Sequence, residues 1–183
     1  MTTSPQRREI MTTPLQRKSP RLPTWDYGTE WWYFVTICTK HHLPLFGQIC
    51  DGINTLTRLG EAAFMQWTQI PLHYPRVELD YFVVMPNHVH GILILTSPAQ
   101  SNSDAAVGQL KPPQSRSLGM IVNQYKGGVT RWARQNGEQD FLWQSRYYDH
   151  IIRNERGLYQ IRKYIEENPL RYETEGVENV GEF

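Results

Sequence analysis

No stretch of this sequence is apolar for long enough to span a bilayer; the most hydrophobic segments are strand-length and are interrupted by Pro86, Asn87 and two histidines. Cysteine is scarce. Cys38 and Cys50 form no C-x-x-C pair and read as two reduced thiols without assigned chemistry. The segment MTTSPQRREIMTTPLQRKSP lacks the apolar core of a secretory signal, so the cytoplasm is the expected compartment, with no membrane partner. The H-E-x-x-H signature of zinc hydrolases is missing, and no other histidine or carboxylate falls at a recognised zinc spacing. A strong overall charge is missing too, the net value being +1.

That near-neutral total hides a division along the chain. Residues 1–25 carry +4, 26–110 carry −4, 111–171 carry +5 and 172–183 carry −4. Positive charge is thus concentrated in an N-terminal arm and in the second half of the fold, where it suits a phosphate backbone. A length of 183 residues with 39% hydrophobic and 12% aromatic content fits one globular domain with a sizeable core.

Residues 1–28, rich in Thr, Pro, Gln and Arg, are expected to be a disordered basic arm, and residues 173–183 an acidic tail. Between them, 29–172 form a single domain. WWYFVTICT (31–39) reads as a strand, and KHHLPLFGQICDG as a turn-rich connection. Leu56, Leu59, Ala63, Trp67 and Ile70 recur at helical steps and stop before Pro71. Two strands follow, about Val77 to Met85 and His88 to Leu95, with a tight reversal at Pro86-Asn87. Residues 97–116 lack a period and read as a long mobile loop. Leu118, Val122, Tyr125, Val129 and Trp132 mark the inward stripe of a helix from about Ser117 to Gln135. A fourth strand is expected within FLWQSRYYDHII. A last helix, capped by Asn154, carries Leu158, Ile161 and Ile165 inward and stops before Pro169. The order β-α-β-β-α-β plus a C-terminal helix predicts an α+β, ferredoxin-like antiparallel sheet, a topology RRM domains also have, with the first and third strands central.

Chemistry is concentrated in His88-Val89-His90. Strand side chains alternate faces, so the two imidazoles project together from a central strand and can share one cation, while Val89 points the other way. Two imidazoles leave a Mg²⁺ or Mn²⁺ site open to a further protein ligand, water and substrate. Asn123, Gln124, His150 and Glu78 are candidates for the third ligand. Within the second predicted helix, Gly127-Gly128 costs about 1 kcal/mol per glycine relative to alanine, a cost explained by close approach of the backbone to the sheet or to DNA, or by a local kink.

MPNHVHGILIL, then IVNQYKGGVTRW, then LWQSRYYDHIIRNERGLYQIRKYIEENPLRY resemble in order and spacing the REP-associated tyrosine transposases, relatives of the IS200/IS605 single-tyrosine HUH transposases. The resemblance spans residues 31–172. It implies a DNA nickase and strand transferase: His88 and His90 bind Mg²⁺ or Mn²⁺, and Tyr125 attacks a phosphodiester to give a 5′-phosphotyrosine and a free 3′-hydroxyl, so that hairpin-bearing single-stranded DNA such as a REP palindrome is cut and rejoined. The position one helical turn beyond Tyr125, where the IS200/IS605 enzymes commonly carry a polar ligand, is Val129. Tyr147 and Tyr148 are alternative nucleophiles. DNA contacts are expected from Lys126, Arg131, Arg134, Arg146, Arg153, Arg156, Arg162 and Lys163, and family members act as monomers or homodimers. Two competing expectations are a non-catalytic RRM-like nucleic-acid-binding module, with WWYFV as stacking aromatics, and an inactive, domesticated transposase relative. The third strand lacks the aromatic, basic pattern an RRM carries there.

Overall fold

The structure, a computed structural model, describes residues 25–96 and 117–175. The basic arm up to residue 24, the loop 97–116 and the tail from residue 176 lie outside the described residues. In chain order the elements are β1 (Trp31–Cys38), β2 (Gly47–Cys50), β3 (Ile53–Leu56), α1 (Arg58–Thr68), α2 (Ile70–His73), β4 (Val77–Val84), β5 (His88–Leu95), α3 (Leu118–Gln135), β6 (Tyr148–Ile152) and α4 (Glu155–Glu175). Four strands form one sheet in the order β4-β5-β1-β6, every neighbour antiparallel. This is the predicted α+β arrangement, with β1 and the histidine-bearing β5 at its centre.

Alternation along β5 divides the molecule into two layers. Val89 and Leu93 join Tyr33, Val35 and Ile37 of β1 in the larger core, covered by Leu59, Ala63 and Trp67 of α1 and by Leu118, Ile121, Tyr125 and Val129 of α3. Ile92 faces the other way with Phe34 and Ile152, beneath Leu158, Ile161 and Ile165 of α4. Packing takes up the middle of the aromatic run of β1: Tyr33 is fully buried and Phe34 lies under α4, with Trp31 exposed at the strand's start, so among the described residues helices cover both faces of the sheet where an RRM leaves one open.

A glycine sets the approach of α1 to the sheet. Gly91 sits on the larger-core side of β5, and a Cβ there would stand 2.2 Å from Cζ2 of Trp67. Trp67 is fully buried, stacks on Phe82 and meets Tyr125 edge-on, so its ring has nowhere to go. Gly91→Ala is expected to destabilise the fold by about 1–3 kcal/mol through overpacking, readable as a lowered denaturation midpoint; an unchanged midpoint would show that α1 can slide.

Two expectations are corrected. The connection after β1 contains the β2–β3 hairpin, closed by Asp51-Gly52 with both residues at positive φ (53° and 72°). The last helix does not stop before Pro169 but runs through it to Glu175. It is fastened at two places. A bulge in β4 between Leu79 and Phe82 presents Asp80, whose carboxylate accepts from Nε (3.1 Å) and Nη2 (2.6 Å) of Arg162. Near the far end, the Glu173 carboxylate accepts from the backbone N–H groups of Asp51 (2.9 Å) and Gly52 (2.7 Å). These anchors offset the hydrogen bond that proline removes from a helix interior.

Candidate active site

His88 and His90 meet on the α4 side of the sheet with ring centroids 4.3 Å apart. Each is held from behind through Nδ1. Asn87 donates from Nδ2 to the carbonyl of His42 (3.4 Å), which turns its Oδ1 to accept from Nδ1–H of His88 at 2.6 Å. Nδ1 of His90 pairs with the Thr36 hydroxyl at 2.9 Å, because the β1–β5 register sets Thr36 directly opposite. Nε2 is then the lone-pair nitrogen of His88; it is buried and has no hydrogen-bond partner. Burial pushes the His88 imidazolium down to about 3, with the His42 charge adding to the effect and the adjacent Asn168 amide opposing it; burial and then His88 hold His90 well below the usual histidine range. Both rings are neutral at neutral pH, the form that binds a metal.

α4 supplies what faces them. The Tyr164 hydroxyl lies 3.3 Å from Nε2 of His90, its ring edge-on to His90 at 5.2 Å. Asn168, one helical turn on and 6% exposed, is the buried amide beside His88. The Tyr172 ring lies 6.5 Å from that of His88, and the Arg171 guanidinium is 5.9 Å from the centre of the Tyr164 ring. Two imidazoles, an amide and a phenol thus converge on one spot. An orphaned nitrogen between neutral rings, with an oxygen donor adjacent, fits a hard divalent ion that leaves further positions to water and phosphate oxygens. Among the described residues no group of three His, Cys, Asp or Glu could hold a metal; the oxygen-bearing side chain beside His88 is the Asn168 amide. Thr36→Val is expected to lower Mn²⁺ affinity about 10–100-fold by freeing the His90 ring, measured by titration calorimetry. Equal affinities would remove Thr36 from the site.

Tyr125 is not brought to this spot. It lies on the other side of the sheet, 3% exposed, donating its hydroxyl to the Ala63 carbonyl (3.2 Å) between Trp67 and Trp143. Burial pushes its phenol far above the usual tyrosine range. With the sheet between it and the imidazoles, and its oxygen sealed from solvent, Tyr125 reaches neither these histidines nor those of another copy. Tyr147 packs against the same core. Tyr148 is on the imidazole side but pairs with Thr36 across β1, two strands from His90, or about 10 Å. Of the predicted third ligands, Asn123 and Gln124 ride on α3, where Gln124 accepts from the Tyr74 hydroxyl. His150 is exposed opposite Phe34, and Glu78 is exposed opposite Ile94, four residues along the strand from His90.

The predicted DNA-contacting cations separate as clearly. Arg162 is committed to Asp80, with Trp32 and Tyr81 beside its guanidinium, and so positions α4 rather than greeting a ligand. Lys163 pairs with Glu167 at 3.6 Å on the exposed side of that helix. Lys126 donates to the Gln144 carbonyl at 2.6 Å and lines one groove with Arg131 and Arg134. Arg146, Arg153 and Arg156 are exposed.

Sequence reasoning missed Tyr164 and Asn168. Their signal was the stripe Ile161, Tyr164, Ile165, Asn168 and Tyr172 at three- and four-residue steps, which continues across Pro169.

A family described as "Transposase IS200 like" matches residues 72–168, a span holding His88, His90, Tyr125 and Tyr164 alike. An uncharacterised Haemophilus influenzae protein is 40% identical over 163 residues, covering 86% of this chain and 90% of its own. A second protein of that organism, assigned as a REP-associated tyrosine transposase, is 28% identical over 148 residues, covering 80% of this chain and 74% of its own. The solved structure of a REP-associated tyrosine transposase bound to a REP hairpin shares the fold, with TM-score 0.56, 18% identity, and coverage of 83% of this chain and 73% of that one.

Proposed function

This chain belongs to the IS200-like transposases, with a REP-associated tyrosine transposase among its relatives, and we propose that it cleaves and rejoins hairpin-bearing single-stranded DNA through a 5′-phosphotyrosine on Tyr164. The observation that carries this is the Tyr164 hydroxyl, 3.3 Å from Nε2 of His90 and next to the unpartnered Nε2 of His88. His88, His90 and Asn168 would hold Mg²⁺ or Mn²⁺, which when bound polarises a phosphate oxygen and lowers the cost of a phenolate. Asn87 keeps the Nε2 lone pair of His88 turned toward the substrate, and Thr36 anchors the His90 ring beside it. Arg171 adds positive charge beside the phenol ring that must lose its proton.

The Tyr164 oxygen bonds to phosphorus as the bond to the 3′ oxygen breaks; the proton lost by the phenol is matched by one gained on the 3′-hydroxyl. One phosphodiester replaces another, so a 3′-hydroxyl reverses the step without nucleotide hydrolysis. The test is a labelled hairpin DNA with single-stranded flanks, incubated with the protein and Mn²⁺. A denaturation-resistant protein–DNA adduct that EDTA prevents is expected, and hairpin binding without any adduct would leave an inactive relative.

A further inference from the structure

The helix α4 is held down unevenly. Its first part is seated by Leu158, Ile161 and Ile165, which pack on Phe34, Ile92 and Ile152 of the sheet. Beyond Ile165 the one buried side chain of α4 among the described residues is Asn168, the amide beside His88, while Leu170 is 60% exposed. Apolar burial therefore does not place Asn168. Pro169 follows it directly and has no N–H, so the Ile165 carbonyl loses the helical bond it would accept, in the very turn that carries Asn168. That turn needs a hold from outside the helix.

Glu173 supplies one. Asp51 and Gly52 adopt φ of 53° and 72°, which brings their successive N–H groups together as a cradle for an anion. Each oxygen of the Glu173 carboxylate takes one of them, Oε1 from Asp51 at 2.9 Å and Oε2 from Gly52 at 2.7 Å. A two-pronged, charge-assisted contact fixes direction as well as distance. The β2–β3 hairpin that offers the cradle is itself registered on the imidazole strand: Asn54 donates from Nδ2 to the Val84 carbonyl (2.6 Å), and Phe46 donates its N–H to the Pro86 carbonyl (2.8 Å), in the reversal that leads into His88. A frame thus closes from His88 through that reversal to the hairpin, across Glu173 to α4, and back to Asn168. On the other side of Asn168, Arg162 is fixed to Asp80, so the amide sits between two fastened points of one helix.

We propose that Glu173 is a positioning residue for the candidate metal site: by clamping the end of α4 onto the β2–β3 hairpin it holds the Asn168 amide against His88, a task the proline beside Asn168 makes necessary. The inference rests on the reading of His88, His90 and Asn168 as the site of a divalent ion. Glu173 touches neither the ion nor DNA in this role.

Titration calorimetry of the full chain with Mn²⁺ tests it, with amide exchange, hairpin-DNA affinity and adduct formation measured in parallel. Glu173→Ala is expected to speed exchange at Asp51 and Gly52 and to raise the Mn²⁺ dissociation constant about tenfold, as the loss of a residue that orients a metal ligand does. Its affinity for hairpin DNA should be unchanged. Adduct formation in this variant should fall at limiting Mn²⁺ and recover at saturating Mn²⁺, while Glu173→Gln, which keeps one acceptor oxygen, should lose less. Pro169→Ala restores the helical bond to Ile165, so Glu173→Ala/Pro169→Ala is expected to regain most of the lost Mn²⁺ affinity. Tyr125→Phe, which loses a hydrogen bond in the core on the other side of the sheet, is the control for stability alone and should bind Mn²⁺ as the native chain does. Native Mn²⁺ affinity in Glu173→Ala, however its melting midpoint moves, would overturn the proposal, and so would an equal loss in Tyr125→Phe. A double variant no tighter than Glu173→Ala would overturn the part given to Pro169. A native chain that takes up no Mn²⁺ would end the metal reading and this inference with it, whereas native affinity confined to the Glu173 variants leaves that reading standing.

Discussion

Tyr164→Phe is expected to abolish the covalent protein–DNA adduct, a loss of about three orders of magnitude or more in cleavage, with hairpin affinity unchanged. The substitution removes one oxygen and keeps the ring that packs edge-on against His90 and Phe34, so the fold and the helix that carries it should survive. Tyr125→Phe makes the contrast sharp. It deletes the hydroxyl that donates to Ala63 inside the larger core, costs about 1 kcal/mol of stability for one buried hydrogen bond, and should leave adduct formation as it was. An adduct that survives in Tyr164→Phe and disappears in Tyr125→Phe would require the chain to open its core during catalysis, and would overturn the assignment. Persistence in both would move the nucleophile to Tyr172, whose ring is the next phenol along the same helical stripe, 6.5 Å from that of His88.

The structure sets Tyr125 on the far side of the sheet from the imidazoles, and the sequence could not show this for a physical reason. Periodicity reports that a residue faces inward; it does not report which face of a sheet the helix covers. Tyr125 and Tyr164 both lie on inward stripes, of α3 and α4 respectively, and only the packing shows that α3 covers Val89 while α4 covers His88 and His90. The strand pair was legible because alternation is a local property, and the central position of β5 followed from element order alone. A polar residue one turn beyond Tyr164 is legible too, as Asn168, but nothing local shows that α4 packs over the imidazoles; Pro169 hides only the continuation of the stripe to Tyr172. Prolines end helices when nothing else secures the turn. Here Glu173 reaches two backbone N–H groups at Asp51 and Gly52, a contact separated by more than a hundred residues and invisible to any local rule. The hairpin that offers those N–H groups did carry a local signal, the Asp-Gly pair that accommodates positive φ at both positions. Its strands are only four residues each, too short for alternation to announce them.

His88→Ala should separate binding from chemistry. Loss of one of two imidazoles is expected to lower Mn²⁺ affinity steeply and to remove metal-dependent cleavage, while hairpin affinity stays within a few-fold, because DNA affinity in general rests mainly on charge contacts to the phosphate backbone. Stability gives a readout that does not depend on activity. In the unaltered protein Nε2 of His88 is buried without a partner, a cost of about 1–3 kcal/mol that a bound ion would relieve. Ligand linkage then predicts that Mn²⁺ raises the melting midpoint of the native chain and does not do so for His88→Ala or for Asn168→Ala. The cavity left by the imidazole lowers the midpoint of His88→Ala with or without metal, so the diagnostic quantity is the Mn²⁺-dependent increment rather than the midpoint itself. A native chain whose midpoint ignores Mn²⁺, or a His88→Ala variant that loses hairpin binding in step with cleavage, would make the pair of histidines part of the packing beneath α4 and nothing more. A lost increment with binding retained would tie the pair to the ion, because packing beneath α4 gives no reason for Mn²⁺ to stabilise one chain and not the other.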